Sequence, residues 1–279
     1  MSAGTLYVVA TPLGNLEDLT LRALRVLREV SLVACEDTRR TGQLLAAQNL
    51  KTPTTSFFEH NERWKGERIL EQLRAGRDVA LVSDAGTPGI SDPGFRLVRD
   101  ARAEGLPVVP VPGPSAVVAA LSVSGLPTDR FRFVGFLPQR TLARQKALLE
   151  LRADPDTLVF YESPMRLTAM LADAVAALGD REAFLCREAT KLHEEYRRGR
   201  LSELLALLGE RARIRGEIVL VVAGAGDERP VVTESPAVLV AQLQSGGLTR
   251  RQAVKQVAER LGLPAREVYR LALDAPPLP

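Results

Sequence analysis

The chain has 279 residues and a net charge of +3, and its hydrophobic content of 46% with only 5% aromatic residues is sufficient for two compact domains with aliphatic cores. The two cysteines, Cys35 and Cys186, and the two histidines, His60 and His193, lack metal-ligand spacing, so no metal site and no disulfide framework are expected. The N-terminus lacks a basic region followed by a long apolar core, and no stretch is long enough to span a bilayer, so we expect a cytoplasmic protein.

The first half of the chain alternates short apolar runs with amphipathic helical patterns. Strands are predicted at 6–10, 32–35, 54–58, 79–83 and 108–111. Helices are predicted between them at 19–30, 41–49, 63–75 and 95–104, with Gly76 and Gly105 as C-terminal stops. Such an alternation indicates parallel strands joined by helical crossovers.

The loop at residues 83–94 is the most informative segment of this half. Three glycines and two prolines within nine residues oppose regular structure, while the small side chains let a ligand approach the backbone. A loop at the carboxyl end of a strand is where open α/β sheets bind ligands. An ordinary surface turn is the alternative, but a turn rarely needs twelve constrained residues with one large apolar side chain, Ile90.

Two further turns follow predicted strands. Residues 112–116, Pro-Gly-Pro-Ser-Ala, open an apolar helix that runs to residue 124 and expose backbone N–H groups and the Ser115 hydroxyl, although capping of a buried helix explains the same residues. Residues 10–15, Ala-Thr-Pro-Leu-Gly-Asn, contain one glycine where a dinucleotide-binding fingerprint requires three. Nicotinamide and flavin cofactors are therefore disfavoured.

After residue 127 the predicted strands are no longer regularly separated by helices. Strands are predicted at 131–136, 158–161, 183–186, 194–199 and 217–223, with helices only at 141–151 and 166–178, which indicates a mixed sheet. A polar linker at 224–230 precedes three predicted helices at 236–244, 250–261 and 265–273, the second capped by Thr249. The predicted fold class is α/β, with two α/β domains at 1–125 and 126–226 separated by a cleft, and a small C-terminal helical module at 233–275.

The charge is concentrated in the C-terminal segment. Residues 246–279 contain six Arg or Lys and three Asp or Glu, a difference that equals the whole net charge of +3. A basic tail on a neutral body favours contact with a polyanion, and two helices joined by a short Gly-containing turn outline a nucleic-acid-binding hairpin. We expect apolar faces from Val254, Val257, Ala258, Leu261, Val268, Leu271 and Ala272, and outward-facing RNA contacts from Arg250, Arg251, Lys255, Arg266 and Arg270. A hairpin that only packs on the second domain is the alternative.

Seven segments, in order, carry a resemblance to a known family. They are residues 6–16, 35–39 (Cys-Glu-Asp-Thr-Arg), 83–94, 111–116, 160–164 (Phe-Tyr-Glu-Ser-Pro), 186–191 (Cys-Arg-Glu-Ala-Thr-Lys) and 215–217 (Arg-Gly-Glu). With them the chain resembles the tetrapyrrole methylase superfamily, and more closely its bacterial ribosomal branch, over nearly its whole length. One departure is Met165, where the family motif usually continues into histidine.

The resemblance implies a fold, a cofactor and a substrate. It implies two α/β domains around S-adenosylmethionine, no metal, a homodimer, and 2′-O-methylation of a cytidine in the decoding centre of 16S rRNA, as free rRNA or in the small ribosomal subunit. Carried over by position, the expected cofactor contacts are Pro12, Leu13, Asp84, Gly86, Thr87, Ile90, Ser115, Ala116, Tyr161, Ala189 and Gly216. A precorrin-type tetrapyrrole C-methyltransferase and a non-catalytic RNA-binding assembly factor stay open as alternatives.

Methyl transfer to a hydroxyl requires removal of its proton, so a base or a cation is expected near the attacking oxygen. The main candidates are Lys191, Glu188 and Glu36, with Asp37, Arg39, Glu162 and Arg166 behind them. A desolvated Lys191 could be a neutral base or a cation that stabilises the alkoxide, and a purely structural Glu188–Lys191 pair explains the residues equally well.

The turns after the second and third predicted strands are also placed to meet a substrate. Arg39 and Arg40 are candidates for RNA phosphate contacts, and Phe58, His60 and Trp64 for base stacking. Core packing is the alternative for Trp64 and for at least one of Phe57 and Phe58, because adjacent strand residues face opposite sides.

Overall fold

The protein is described here by a computed structural model that covers residues 2–211, 213–226, 236–245, 248–261 and 265–273. The chain forms two compact units, Met1–Gly224 and Ala225–Pro279. The predicted domain limits at residues 125 and 226 stay predictions, and residues 227–230 of the predicted linker lie outside the described residues.

The first sheet occupies the N-terminal half of the larger unit. Its elements are β1 (Leu6–Val9), α1 (Leu21–Glu29), β2 (Leu32–Cys35), α2 (Thr38–Ala47), β3 (Thr54–Ser56), α3 (Glu62–Arg74), β4 (Val79–Leu81), α4 (Phe95–Ala103) and β5 (Val108–Val111). The strand order is β3-β2-β4-β1-β5 and each neighbouring pair is parallel, which confirms the predicted crossovers. All of the carboxyl ends therefore meet at one edge.

Apolar side chains cover both faces of this sheet. Leu6 packs with Leu73 and Leu97 on one side, and Val9 packs with Val26 on the other. Both clusters are almost fully buried, so the scaffold fixes the positions of the loops at the strand ends.

The second sheet follows α5 (Ala116–Ser124). Its elements are β6 (Phe131–Phe136), α6 (Thr141–Glu150), β7 (Thr157–Glu162), α7 (Leu167–Leu178), β8 (Glu182–Arg187), β9 (Glu195–Arg200), α8 (Leu201–Gly209) and β10 (Ile218–Val222). The order is β6-β7-β10-β8-β9, with β6 and β7 parallel and the other pairs antiparallel, so the mixed sheet is confirmed. Helix α5 packs on this sheet, where Val117 and Leu121 contact the cluster around Val159 and Phe184.

Most predicted boundaries shift by a few residues, and two departures from the sequence prediction have a specific cause. Helix α2 begins at Thr38 rather than at residue 41, because Asp37 Oδ1 accepts a hydrogen bond from Arg39 N at 2.8 Å and caps the helix. Helix α8 was not predicted, since its cap is an arginine: Glu203 Oε2 accepts from Arg200 N at 2.8 Å without the Ser or Thr that usually marks a helix start.

The smaller unit contains three helices among its described residues, α9 (Pro236–Ser245), α10 (Arg250–Leu261) and α11 (Ala265–Leu273), close to the predicted bounds. Its core is formed by Leu239, Val240, Ala253, Val254, Val257, Ala258 and Val268. Thr249 N donates to Gln252 Oε1 at 3.0 Å, and Thr249 Oγ1 accepts from Gln252 N at 3.4 Å, so the predicted cap is confirmed.

Two predicted orientations in this unit are wrong. Leu271 is exposed rather than part of the apolar face. Arg250 does not point freely outward: it donates from NH2 to the Ala272 carbonyl at 3.1 Å and its guanidinium lies 5.4 Å from the centroid of the Tyr269 ring. A carbonyl in the last turn of α11 and the nearby aromatic ring attract this cation. The side chain of Leu261 lies outside the described residues.

Candidate active site

A cavity of about 350 Å³ is lined by loops of both sheets in the larger unit. Ten of the eleven residues expected to contact the cofactor line it, namely Leu13, Asp84, Gly86, Thr87, Ile90, Ser115, Ala116, Tyr161, Ala189 and Gly216. The exception is Pro12, which lines a neighbouring cavity of about 420 Å³. Arg40 and Asp84 line both cavities. The predicted positions therefore converge on one place, although they were drawn from six separate segments of the chain.

The loop at residues 83–94 is fixed to the turns beside it. Thr11 and Gly86 exchange two backbone hydrogen bonds of 2.9 Å. Thr87 Oγ1 donates to the Pro114 carbonyl at 3.1 Å. Gly86 has a φ of +77°, and a Cβ there would lie 3.3 Å from Leu13 Cδ2. The loop is a constrained wall of the cavity rather than an ordinary surface turn, and glycine is required at its closest approach.

Strained backbone is concentrated around the cavity. Of the four non-glycine residues with positive φ among the described residues, Ser91, Glu188 and Thr190 lie in loops that line it or adjoin its lining residues. Such conformations cost about 1–3 kcal/mol each and persist where the surroundings hold them, commonly at functional sites. The fourth, Asn49, follows α2, where asparagine tolerates this conformation.

Two of the catalytic candidates, Lys191 and Glu188, form an ion pair beside the cavity. Lys191 Nζ donates to Glu188 Oε1 at 2.8 Å and to Glu217 Oε2 at 3.1 Å. Burial would lower the pKa of Lys191, but the hydrogen bond to Glu188 and the charge of Glu217 raise it overall. Burial would likewise raise the pKa of Glu188, but hydrogen bonds from Lys191 Nζ and Glu217 N lower it overall. These contacts favour a charged Lys191 over a neutral base.

The third candidate, Glu36, lies against a carboxyl group that the sequence did not single out, Asp92. Burial first, and then the charges of Asp92 and Asp84, raise the pKa of Glu36 to about 7. Burial also raises the pKa of Asp92 to about 6, and the two carboxyl groups hydrogen-bond to each other. Glu36 Oε1 is buried and has no partner among the described residues. Asp92, unlike Glu36, lines the cavity.

Glu162 and Arg166 form a second buried polar group at the cavity. The Glu162 side chain is fully buried, and its Oε1 accepts from Ser163 N and Arg166 NH2, both at 2.6 Å. Its Oε2 has no partner among the described residues. Arg166 also donates to the Leu137 carbonyl at 3.3 Å. Met165, in contrast, is exposed and does not line the cavity, so the residue that departs from the family motif is not a wall of this site.

Two further lining side chains are neutral at physiological pH. Burial raises the pKa of Cys186 to about 11 and that of Tyr161 to about 12. A thiolate nucleophile is therefore disfavoured at Cys186.

Among the residues that the structure describes, no group of His, Cys, Asp or Glu is placed to hold a metal ion. In the same part of the chain, no helix has the length and apolar character needed to cross a bilayer.

Comparison with known proteins identifies the family to which this architecture belongs. Residues 5–205 match the family described as Tetrapyrrole (Corrin/Porphyrin) Methylases. The chain belongs to the tetrapyrrole methylase family. It is 48% identical to the Ribosomal RNA small subunit methyltransferase I of Pseudomonas aeruginosa, over 98% of each chain. It is 46% identical to the protein of that name from Halalkalibacterium halodurans, over 96% of this chain and 94% of the relative.

Solved structures of tetrapyrrole methylases share the fold. The uroporphyrin-III-C-methyltransferase of Thermus thermophilus matches with a TM-score of 0.57 and 25% identity, over 79% of this chain and 94% of its own. A second structure of that enzyme, in complex with S-adenyl homocysteine, matches with a TM-score of 0.56 and 25% identity, over 79% of this chain and 97% of its own.

In this tetrapyrrole methylase, the candidate RNA contacts are not equivalent. Arg39 is exposed and pairs with Asp37 at 2.9 Å. Arg40 NH1 lies 3.4 Å from Asp84 Oδ2, at the cavity. Arg251, Lys255, Arg266 and Arg270 are exposed on the smaller unit. Phe57 is fully buried, whereas Phe58 and Trp64 are exposed, so the core-packing alternative applies to Phe57 alone.

Proposed function

We propose that the protein is an S-adenosylmethionine-dependent methyltransferase that methylates the ribose 2′-hydroxyl of a cytidine in the decoding centre of 16S rRNA. The observation that carries this proposal is the extent of the similarity. The curated ribosomal RNA methyltransferases match 96–98% of this chain, whereas the C-methyltransferase structures of similar fold match 79%. The additional length shared with the ribosomal enzymes favours an RNA substrate over a small tetrapyrrole.

The cavity has the properties that this cofactor requires. Leu13, Ile90 and Val219 provide apolar walls, and the positive φ values of Gly86 and Gly216 leave backbone open to close approach. The lining includes the acidic residues Asp84, Asp92, Glu162 and Glu217 but a single cationic residue, Arg40. When bound, S-adenosylmethionine supplies an electrophilic methyl group on a positively charged sulfur, and an acidic lining suits that charge.

The buried polar groups give the ligand specific partners. Glu162 Oε2 has no partner among the described residues and is an acceptor for a hydroxyl or amino group of the ligand, because a buried carboxylate oxygen left without a donor is costly. Arg166 fixes the orientation of this carboxylate through Oε1. Lys191 and Glu188 act as positioning residues, since Glu217 N donates to Glu188 Oε1 at 2.9 Å and the pair thereby holds the segment that includes Gly216.

The proton of the attacking hydroxyl needs an acceptor within the site. We propose that the Glu36–Asp92 pair accepts it, with Asp92 facing the cavity and Glu36 sharing the proton behind it. Their pKa values of about 7 and about 6 lie close to the working pH, where a general base is most effective. Lys191 keeps its proton and stays paired with Glu188 and Glu217, in its positioning role.

We further propose that the protein acts as a homodimer in the cytoplasm and needs no metal. Helix α5 supports the dimer: all of its residues except Ser122 and Ser124 are alanine, valine or leucine, and Val118 and Val123 remain exposed on it. Light scattering coupled to size-exclusion chromatography tests this, and a monomer at micromolar concentration would contradict it.

The decisive experiment is incubation of the protein with S-adenosylmethionine labelled in its methyl group and one of three acceptors: naked 16S rRNA, small ribosomal subunits, or a tetrapyrrole precursor. We expect label in RNA, on a single cytidine whose 3′ phosphodiester resists alkaline cleavage because its 2′-oxygen is methylated. Label in the tetrapyrrole would overturn the proposal in favour of a C-methyltransferase. RNA binding without cofactor binding would indicate an assembly factor.

A further inference from the structure

Three aromatic side chains and a histidine are exposed where α3 and α4 begin. Phe58 is 39%, Trp64 52% and Phe95 70% exposed, and His60 is exposed beside them, with its ring edge-on to Phe58 at 6.4 Å between centroids. Large aromatic side chains are usually well buried, so such a concentration on one edge calls for an explanation. We call these four residues the aromatic surface.

The aromatic surface is fixed relative to the cavity. Glu62, on the first turn of α3, accepts a hydrogen bond from Gly94 N at 3.2 Å, and its other oxygen lies 3.9 Å from Arg96 Nε. Gly94 is the last residue of the loop whose residues 84–87 and 90–92 line the cavity. Because Glu62 is nearly buried, this contact joins the starts of both helices to the wall of the site. A chain bound on the aromatic surface therefore lies next to the proposed reaction centre.

Cations surround the tryptophan ring. Lys65 Nζ lies 4.9 Å and Arg68 Cζ 5.1 Å from the ring centroid of Trp64. Within the described part of the chain, Arg63 and Arg68 form no ion pair, whereas the nearby Glu67 is neutralised by Arg74 at 2.7 Å. Aromatic faces combined with uncompensated cations are the features with which proteins hold single-stranded nucleic acid, since bases stack on the rings and phosphates meet the cations.

We infer that the aromatic surface binds unpaired nucleotides of the RNA substrate that flank the target nucleotide. Bases stack on Trp64 and Phe58, and the backbone phosphates contact Arg63 and Arg68. This inference rests on the proposed function, because it takes RNA as the substrate. A second copy of the chain would, in a twofold interface, bring the cations beside Trp64 against the same cations of its partner, and this like-charge contact argues against a second copy as the occupant.

Trp64 is the only tryptophan in the chain, so intrinsic fluorescence reports this position directly. The full-length protein is titrated with a single-stranded oligoribonucleotide spanning the target cytidine, and in parallel with an abasic oligomer of equal length and charge. We expect the base-bearing oligomer to quench the fluorescence and the abasic one to leave it largely unchanged. Equal responses to both would mean that no base stacks on Trp64, and would overturn the inference.

Substitutions measure the contribution of the stack. By anisotropy of a labelled oligomer, Trp64→Ala should weaken binding about 5- to 100-fold and Trp64→Phe much less. Phe131→Ala, an exposed aromatic on β6, is the matched control and should bind as the unsubstituted protein does. Because Trp64 is half exposed, all variants should fold, which cofactor titration checks. Unchanged RNA affinity in Trp64→Ala would contradict the inference.

The test separates this inference from the proposed function. Methyl transfer to 16S rRNA with an unchanged KM in Trp64→Ala would remove the aromatic surface from RNA binding and leave the proposed function intact. If the unsubstituted protein neither transferred methyl groups to RNA nor bound RNA, the proposed function and this inference would both fail. If Trp64→Ala instead dissociates an oligomer without changing RNA affinity, the surface is an interface between copies of this chain and the inference fails.

Discussion

The backbone of Gly216 passes directly against the side chain of Glu188. A Cβ on residue 216 would overlap Glu188 Cγ and lie 2.6 Å from Oε1, and the φ of +96° at this residue is one that other amino acids rarely adopt. Glu188 itself has a φ of +53° and accepts hydrogen bonds from Lys191 and from the backbone of Glu217. The close approach of Gly216 therefore leaves room for the strained conformation of Glu188, and Glu188 in turn holds the backbone beside Gly216 at the wall of the cavity.

Replacement of this glycine should damage cofactor binding beyond its effect on stability. We expect Gly216→Ala to lose about 1–3 kcal/mol of unfolding free energy from backbone strain and to lose at least tenfold in S-adenosylmethionine affinity by calorimetry, because Glu188 must move. Gly179→Ala is the control: its φ is +86°, but a Cβ there meets nothing within 4 Å. Equal cofactor affinities in the two variants would show that the close approach to Glu188 is not needed.

A similar pair tests the loop at residues 83–94. Gly86→Val should abolish cofactor binding while the protein stays folded, because its methyl groups would occupy the approach to Leu13 and the cavity. Gly89→Val changes the same loop at a similar φ of +80° but in open space. We expect calorimetric titration to detect cofactor binding by Gly89→Val but not by Gly86→Val. Thermal unfolding should give similar melting temperatures for the two variants. Unaltered titration in Gly86→Val would refute the assignment of this loop.

Local sequence patterns were sufficient to predict most of the strands and helices of the scaffold. The strands at 32–35, 108–111 and 131–136 were predicted to the residue, because short runs of mostly apolar residues mark them. Helix α8 was not predicted because Arg200 occupies its cap position. Helix α2 begins earlier than predicted because the Asp37 side chain caps it. Hydrogen bonds of individual side chains, rather than periodicity, decide such boundaries.

The site was predictable only in part, for a related reason. The motif positions converge on one cavity, but the pairing of side chains depends on strands distant in sequence. Asp92 sits within a loop that was recognised, yet only the fold brings it against Glu36 from the end of β2. Arg250 was expected to face solvent, and the fold instead directs it to the carbonyl at Ala272. Periodicity indicates which face a residue occupies and not which partner it finds.

The proposed base gives a pH-dependent prediction. The raised pKa of Glu36 means that the folded protein binds a proton between pH 4.5 and about 7 that the unfolded chain has released, so folding stability falls as pH rises through this window. Glu36→Gln removes that dependence. The variant should gain stability relative to the unsubstituted protein at pH 8 and differ little from it at pH 4, as chemical denaturation at each pH would measure.

The same substitution should reduce catalysis. We expect Glu36→Gln to lower kcat about 10²- to 10⁴-fold with a smaller change in KM, and the activity of the unsubstituted protein to rise with pH through about 7 as the pair loses its shared proton. Glu29→Gln, an exposed carboxylate on α1, serves as the control. Full activity in Glu36→Gln would exclude the pair as proton acceptor even if the stability prediction holds.

The basic helices of the smaller unit provide the last prediction. Arg266 and Arg270 are exposed on α11, one turn apart, and both add positive charge to a region that carries the net charge of the chain. Reversal of both, Arg266→Glu with Arg270→Glu, should weaken binding of 16S rRNA and reduce the slope of log affinity against log salt by about 1 for each phosphate that the protein no longer neutralises. Cofactor affinity should not change.

A charge-matched control distinguishes local phosphate binding from the effect of net charge. Arg22→Glu with Arg28→Glu makes the same change in net charge at exposed positions of α1. If both double variants reduce RNA affinity and salt dependence equally, only overall charge matters and the smaller unit does not bind RNA specifically. If the α11 variant binds the cofactor more weakly as well, its arginines maintain the structure of the enzyme. A selective decrease of RNA binding in the α11 variant is the result that assigns these two side chains to the phosphate backbone.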